Sequence, residues 1–132
     1  FLSEMKDKYL KGEHRKTIIV GDFNIAPLPD DVWSHKALLN VVSHTKIETD
    51  LLSEIKKNGK WLDTFREIIP SGKLYSWWSY RARDWKASNR GRRLDHIWAS
   101  NDLKSKLSRV EIFSEARGWE RPSDHVPILA IF

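Results

Sequence analysis

Three apolar runs in this chain carry ionisable side chains at one end, and that pattern limits the possible folds more than any other feature. Thr17-Ile18-Ile19-Val20 runs into Gly21-Asp22-Phe23-Asn24. Asp95 stands within Arg92-Arg93-Leu94-Asp95-His96-Ile97-Trp98, and Pro122-Ser123-Asp124-His125-Val126-Pro127 leads into Ile128-Leu129-Ala130-Ile131-Phe132. Runs of this length and composition read as strands. The three segments together offer carboxylates, an amide and an imidazole. Neighbouring residues of an extended segment point to opposite sides, so Asp124 and His125 each need partners from elsewhere in the chain.

At 132 residues the chain has the size of one domain or a piece of one. It contains no cysteine, which excludes a disulfide framework and a thiolate site and fits a reducing, cytoplasmic setting. No apolar run approaches the ~18 residues of a membrane span, so no membrane partner is expected. Phe1 is not an initiator Met, and Leu2, Met5, Tyr9 and Leu10 already follow helical spacing, which reads as a cut chain. The net charge of +5 is concentrated. Arg81, Arg83, Lys86, Arg90, Arg92 and Arg93 face the single acid Asp84 between Tyr80 and Arg93, and the other residues balance at 17 positive and 17 negative.

The spacing predicts a helix from Leu2 that stops near Gly12, then a strand over Thr17–Val20 buried on both faces. Asp30-Asp31 is expected to cap a helix from Trp33 to Leu39, and helices are expected over Glu48–Lys57 and Trp61–Ile69 around the stop Asn58-Gly59. Leu74–Tyr80 reads as an aromatic strand, the arginine-rich stretch as a loop, and Arg93–Ala99 as a strand. Ser100-Asn101-Asp102 caps a helix to Leu107, and Val110–Phe113 and Val126–Phe132 are strands. Strands interleaved with helices predict a layered α/β domain.

Gly21 permits a tight turn after the first strand, and Asp22 and Asn24, two residues apart, fall on one side, where they could converge on a phosphate or simply satisfy the turn. Asp95 in a half-buried strand needs a partner against desolvation, and both Arg93 and His125 qualify. An Asp–His pair would fix the imidazole tautomer. His14, His35, His44 and His96 show no ligand spacing, so no structural zinc is expected. Trp77, Trp78, Tyr80 and Trp85 interleave with Arg81, Arg83, Lys86 and Arg90, a combination that grips nucleic-acid backbones and stacks on bases. The plainer alternative is a tryptophan core beside a solvated basic loop.

Taken together, Gly21-Asp22-Phe23-Asn24-Ile25-Ala26-Pro27, Tyr75-Ser76-Trp77-Trp78-Ser79-Tyr80-Arg81, Arg90-Gly91-Arg92-Arg93-Leu94-Asp95 and Arg121-Pro122-Ser123-Asp124-His125 resemble bacterial exonuclease III, the abasic-site endonuclease family. The match holds in order and spacing over nearly the whole chain. The resemblance implies a phosphodiesterase dependent on magnesium, with manganese as the alternative ion, that cuts double-stranded DNA 5′ to abasic sites and trims it from 3′ ends. It makes Asp22, Asn24, Asp95 and His125 the catalytic set. Asp22 would align or deprotonate the attacking water or handle the leaving-group proton, Asn24 would hold the scissile phosphate, and His125 would contact it, oriented by Asp95. Asp124, with Asp22 and Asn24, would lie at the metal. Trp77, Arg81, Arg83, Arg90, Arg92 and Leu94 would contact DNA, with Trp77, Arg92 and Leu94 shaping the pocket for an extruded sugar. Arg92 departs from the apolar residue associated with that place.

The family fold so implied is a four-layer α/β sandwich of two sheets, of which residues 1–132 would be the C-terminal half, a mixed sheet with helices on its outer face. The N-terminal half would supply an Asn, the principal metal-binding Glu and an active-site Tyr, for which no counterpart precedes Phe1. The exposed sheet face is then expected to pair with that half or with a second copy of the chain. Two other functions remain open from sequence: a noncatalytic nucleic-acid-binding fragment, and a related metal-dependent phosphomonoesterase acting on lipids or sugars.

Overall fold

The computed structural model of the chain describes residues 1–9 and 14–132. Helix α1 spans Leu2–Tyr9; its expected stop near Gly12 lies outside the described residues. Strand β1, Ile18–Asp22, pairs antiparallel with β5, Asp95–Ser100, which pairs on its other side with β2, Trp61–Asp63. Helix α3, Lys46–Asn58, and α1 cover one face of this three-stranded sheet. Met5, Leu52 and Ile55 from the helices meet Phe23, Ile25, Trp61 and Trp98 there, with Ile19 packed beside them. The capping box formed by Thr45 and Glu48 starts α3 two residues before the predicted boundary.

The expectation that the first strand is buried on both faces is not met. Ile18 and Val20 are 46% and 65% exposed, because β1 is an edge strand whose inward residue Ile19 alone faces the helices. The predicted helix over Trp61–Ile69 divides. Trp61–Asp63 extends β5's sheet, all three residues buried, and only Thr64–Ile68 is helical, as α4. Pairing with β5 outweighs helical spacing over three residues, and the Asp63 side chain then accepts a hydrogen bond from the Arg66 amide as the cap of α4. Helix α2 is only His35–Leu38, capped by Ser34 rather than by Asp30-Asp31, which sit in a 3₁₀ turn at Pro29–Asp31.

The aromatic strand shrinks to β3, Trp77–Trp78, paired with β4, Gly91–Arg92. Between them the basic loop contains one short helix, α5, Trp85–Ser88, capped by Asp84 and ended by Asn89 in the left-handed region. Gly91 has no substitute, since a Cβ there would sit 2.5 Å from the Tyr75 ring. The predicted helix after Ser100 is a 3₁₀ turn over Asn101–Lys106, and the last two strands, β6 Arg109–Ile112 and β7 Ile128–Ile131, form an antiparallel pair. Helix α4 packs against both β5 and β6. The layered α/β class is as predicted, but every strand pairing among the described residues is antiparallel, where a mixed sheet was expected.

Candidate active site

One buried serine ties two of the three polar segments together. Ser76 is fully buried; its Oγ accepts from the amides of Leu94 and Asp95, both at 3.0 Å. Its amide donates to the Arg92 carbonyl at 2.9 Å and its carbonyl accepts from the Val126 amide at 2.8 Å. The strand end bearing Asp95 and the turn bearing His125 are thereby held on either side of one residue. Antiparallel pairing sets Asp22 opposite Asp95, which adds the end of β1 to the same place.

The resulting geometry is specific. His125 Nδ1 lies 2.9 Å from Asp95 Oδ2, and because a carboxylate only accepts, Nδ1 carries the proton. His125, and not Arg93, is therefore the partner of Asp95. His125 Nε2 lies 3.8 Å from Asp22 Oδ2, too far for a hydrogen bond and close enough for one oxygen atom to be shared between them. Asp22 Oδ1 accepts from the Asn24 amide at 2.8 Å, and Asn24 stands in the left-handed region at φ 57°, which turns its exposed side chain out beside Asp22. Ligand atoms of Asp22, Asp95 and His125 all lie within 4.8 Å of one another, a group that could hold a metal ion. Asp124 is outside that group; its Oδ2 accepts from Trp77 Nε1 at 2.9 Å.

Asp22, Asn24, Leu94 and His125 line a cleft of about 700 Å³ whose walls are Trp33, Val42, Ser43, Trp77, Ser79, Arg81, Ala82, Arg90 and Arg92. The Arg90 guanidinium lies 4.7 Å from the Trp33 ring centre and that of Arg92 lies 5.3 Å from Trp77's. Arg83 does not reach this cleft; it borders a separate depression with Asp84, Ala87 and Arg90. Among the described residues no carboxylate is in ion-pair distance of Arg81, Arg90 or Arg92.

Behind the cleft the pattern is reversed. Arg93, fully buried, donates through Nε and Nη2 to Asp31 at 2.8 and 3.0 Å and through Nη1 and Nη2 to Asp63 at 3.0 and 2.8 Å. Arg66 adds a bond of 2.5 Å to Asp31. Burial alone would raise the Asp63 carboxyl; the Arg93 guanidinium outweighs it and holds that carboxyl below the ordinary carboxylate value. His96, buried beside them, is pushed down to about 4 by burial and by the charge of Arg93, and its Nε2 donates to the Ile25 carbonyl at 2.8 Å. Sequence reasoning missed Ser76, Trp33, Val42, Ser43 and this network. The only trace of the network was the pair Asp30-Asp31, which fits a helix cap equally well.

Residues 5–125 match the model of the Endonuclease/Exonuclease/phosphatase family. Exodeoxyribonuclease III of Haemophilus influenzae is 32% identical over 138 residues, which take in 95% of this chain and 50% of that protein. The chain thus spans about half the length of this curated relative. An AP endonuclease from Archaeoglobus fulgidus has a similar structure, with a TM-score of 0.91 at 28% identity over 99% of this chain and 52% of that one. So has the 3′ phosphatase NExo from Neisseria, solved bound to a product DNA hairpin, with a TM-score of 0.84 at 30% identity over 99% and 48%. The match over residues 5–125, nearly its whole length, places this chain in the Endonuclease/Exonuclease/phosphatase family.

Proposed function

We propose that the chain carries half of the active site of a magnesium-dependent DNA-repair phosphodiesterase, an abasic-site endonuclease and 3′-5′ exodeoxyribonuclease. One observation carries this reading: the Asp95–His125 pair faces Asp22 and Asn24 at the foot of a cleft walled by aromatic faces and uncompensated arginines. A duplex brings a row of phosphates and stacked bases, which suit those walls. A lipid or sugar phosphomonoester would use neither.

His125, its Nδ1 proton held by Asp95, presents Nε2 toward the gap before Asp22 and there contacts an oxygen of the scissile phosphate. Asp95 keeps the imidazole in one tautomer and orientation. Asn24 offers amide donors to the same phosphate, and Asp22 aligns or deprotonates the attacking water. The hard carboxylate oxygens of Asp22, with Oδ2 free of any hydrogen bond among the described residues, fit magnesium or manganese, and Asp124 stands near as a further carboxylate. When bound, the ion would offset charge developing on the phosphate oxygens. Arg81, Arg83 and Arg90 hold the backbone on either side.

Among the described residues no full ligand set for magnesium comes together, so the 132 residues alone are expected to cleave poorly, and the cytoplasm is the expected setting. The exposed Ile18, Val20, Leu129 and Ile131 fit a surface completed by an N-terminal half or by a second copy. The test is magnesium-dependent incision of an abasic duplex by the full-length protein that contains this chain, alongside the 132 residues alone. Incision by the longer protein supports the reading. Binding without incision by either favours a noncatalytic DNA-binding module instead, to which the uncompensated arginines alone would suffice.

A further inference from the structure

Trp78, Trp85 and Lys86 belong to the interleaved aromatic and basic stretch, yet none of them lines the cleft. With Tyr75 and Asn89 they line a second cavity, of about 350 Å³. Its rings meet edge to face: the centres of Tyr75 and Trp78 are 6.0 Å apart and those of Trp78 and Trp85 5.3 Å. Tyr75 and Trp78 are buried, whereas Trp85 is only half-buried and keeps ring surface open. Arg117 braces that indole. Its Nε donates to the Trp78 carbonyl at 3.3 Å, and its guanidinium lies 5.8 Å from the Trp85 ring centre. Trp78 Nε1 donates to Asn89 Oδ1 at 3.1 Å, and the Asn89 amide hydrogens and the Tyr75 hydroxyl have no partner among the described residues. Charge on the rim is divided. Lys73 is compensated, its Nζ donating to the carbonyls of Pro29 and Val32 and standing 3.8 Å from Asp30. Among the described residues no carboxylate is within ion-pair distance of Lys86.

An open indole, unused donors and a free ammonium suit a nucleotide, whose base stacks while its phosphate meets the cation. A purely apolar ligand would leave Lys86 and the Asn89 amide unused. Ligand pockets run from roughly 300 to 1,000 Å³, so this one has room for one nucleotide and little more. The surroundings of the cavity decide where that nucleotide comes from. The depression at Arg83 shares Ala82 and Arg90 with the cleft and takes in Ala87 and Ser88, one face of α5; Trp85, Lys86 and Asn89 lie on the opposite face. Arg90 of the cleft and Asn89 of the cavity are chain neighbours, ~3.8 Å apart along the backbone. A strand leaving the cleft over Arg90 and Arg83 therefore passes round α5 to Lys86 and the rings. Paired bases offer no open face there, and an unpaired base does. We propose that the Trp78–Trp85 cavity is an accessory nucleotide site, which takes one unpaired, base-bearing nucleotide of a DNA strand continuing past the catalytic cleft.

This rests on the reading of the cleft as a DNA phosphodiesterase site. The test measures binding by fluorescence anisotropy, with the full-length protein that contains this chain and calcium in place of magnesium. The probes are a blunt duplex, the same duplex with a short thymidine tail on its 3′ or its 5′ end, and both tails rebuilt from tetrahydrofuran nucleotides, which keep the phosphates and lose the bases. One of the thymidine tails is expected to bind about tenfold more tightly than its abasic counterpart, the worth of one stacked base. Trp85→Leu should bring that ratio to about one, and Trp85→Phe should keep most of it. A measurement on the unmutated protein needs no variant: 2-aminopurine moved along the favoured tail should be quenched at one position by stacking on the indole. Free dTMP at ~0.1 mM should leave that quench intact, because attachment to the duplex gives the tail an effective concentration of about millimolar. Loss of the quench at that concentration would assign the cavity to a free mononucleotide and overturn the strand reading. Equal affinities for thymidine and abasic tails at both ends, no quench at any position, or a ratio that survives Trp85→Leu would overturn it as well. Failure to bind even the blunt duplex would instead sink the underlying DNA reading.

Discussion

Arg92 and Arg93 are adjacent, carry the same charge and end in opposite surroundings. Arg93 is enclosed and meets two carboxylates in bidentate pairs; Arg92 lies on an aromatic ring at a cleft wall with a single carbonyl as acceptor. Strand alternation separates them: one residue's side chain enters the interior and the next reaches the cleft. The difference teaches how to read charge in this fold. A cation whose compensation is already built in belongs to the architecture, and one left uncompensated beside reactive groups is available to a ligand.

Substituting each arginine should separate the two roles sharply. Arg93→Ala leaves Asp31 and Asp63 buried without their main counter-charge, and a loss of about 3–5 kcal/mol in urea unfolding is expected. Arg92→Ala removes one exposed-edge hydrogen bond and a ring contact and should cost about 1 kcal/mol or less. Comparable losses from the two would erase the distinction.

The interior also has a pH signature. His96 has a folded pKa near 4 against an ordinary 6.5, so the unfolded chain takes up a proton first as pH falls. The stability that its neutral form contributes is complete above pH 6.5, falls between 6.5 and about 4, and is constant below, a loss of roughly 3 kcal/mol. Asp63 acts in the same sense at lower pH: its contribution is present above the ordinary 3.8 and lost as pH falls through its depressed folded value. Denaturant midpoints measured from pH 7 to 4 for the unmutated chain and for His96→Phe should diverge through the first window; parallel curves would remove His96 as the cause.

Ser76 joins interior to cleft, and Ser76→Ala strands two amides, the buried one of Leu94 and the partly buried one of Asp95. A loss of about 1–3 kcal/mol is expected, with the His125–Asp95 pair disturbed as well, visible as a shift of the His125 imidazole resonances. Smallest of all is the effect of the cleft arginines on folding. Arg81→Gln and Arg90→Gln should leave denaturant midpoints within about 0.5 kcal/mol, yet each should lower the slope of log affinity for duplex DNA against log salt by about one.

Much of the cleft was legible because its residues break local rules. Asp95 in an apolar strand, Asp124-His125 before a hydrophobic tail and a segment holding the entire net charge all stand out against their surroundings. The 2.9 Å Asp95–His125 contact is the predicted pairing, for which Arg93 was the alternative partner of Asp95. The interior network was opaque for the opposite reason. Asp31, Asp63 and Arg66 each have a satisfactory local role in turns and caps, and only tertiary packing brings the two carboxylates to Arg93 and Arg66 to Asp31. Boundaries failed where pairing overrode periodicity, as at Trp61–Asp63, and where a strand edge stayed exposed, as at Ile18 and Val20. The anchoring role of Ser76 gave no sequence signal, since a serine between two aromatic residues is unremarkable until its four hydrogen-bond partners converge.

If this cleft cleaves a phosphodiester, His125 and Asp95 act on it together. The direct measurement is single-turnover incision of an abasic duplex in magnesium by the full-length protein and by its His125→Ala and Asp95→Asn variants, each at saturating enzyme. Rates about a hundredfold or more below the unmutated protein are expected for both, with duplex affinity little changed. Incision by either variant within about threefold of the unmutated rate would contradict it.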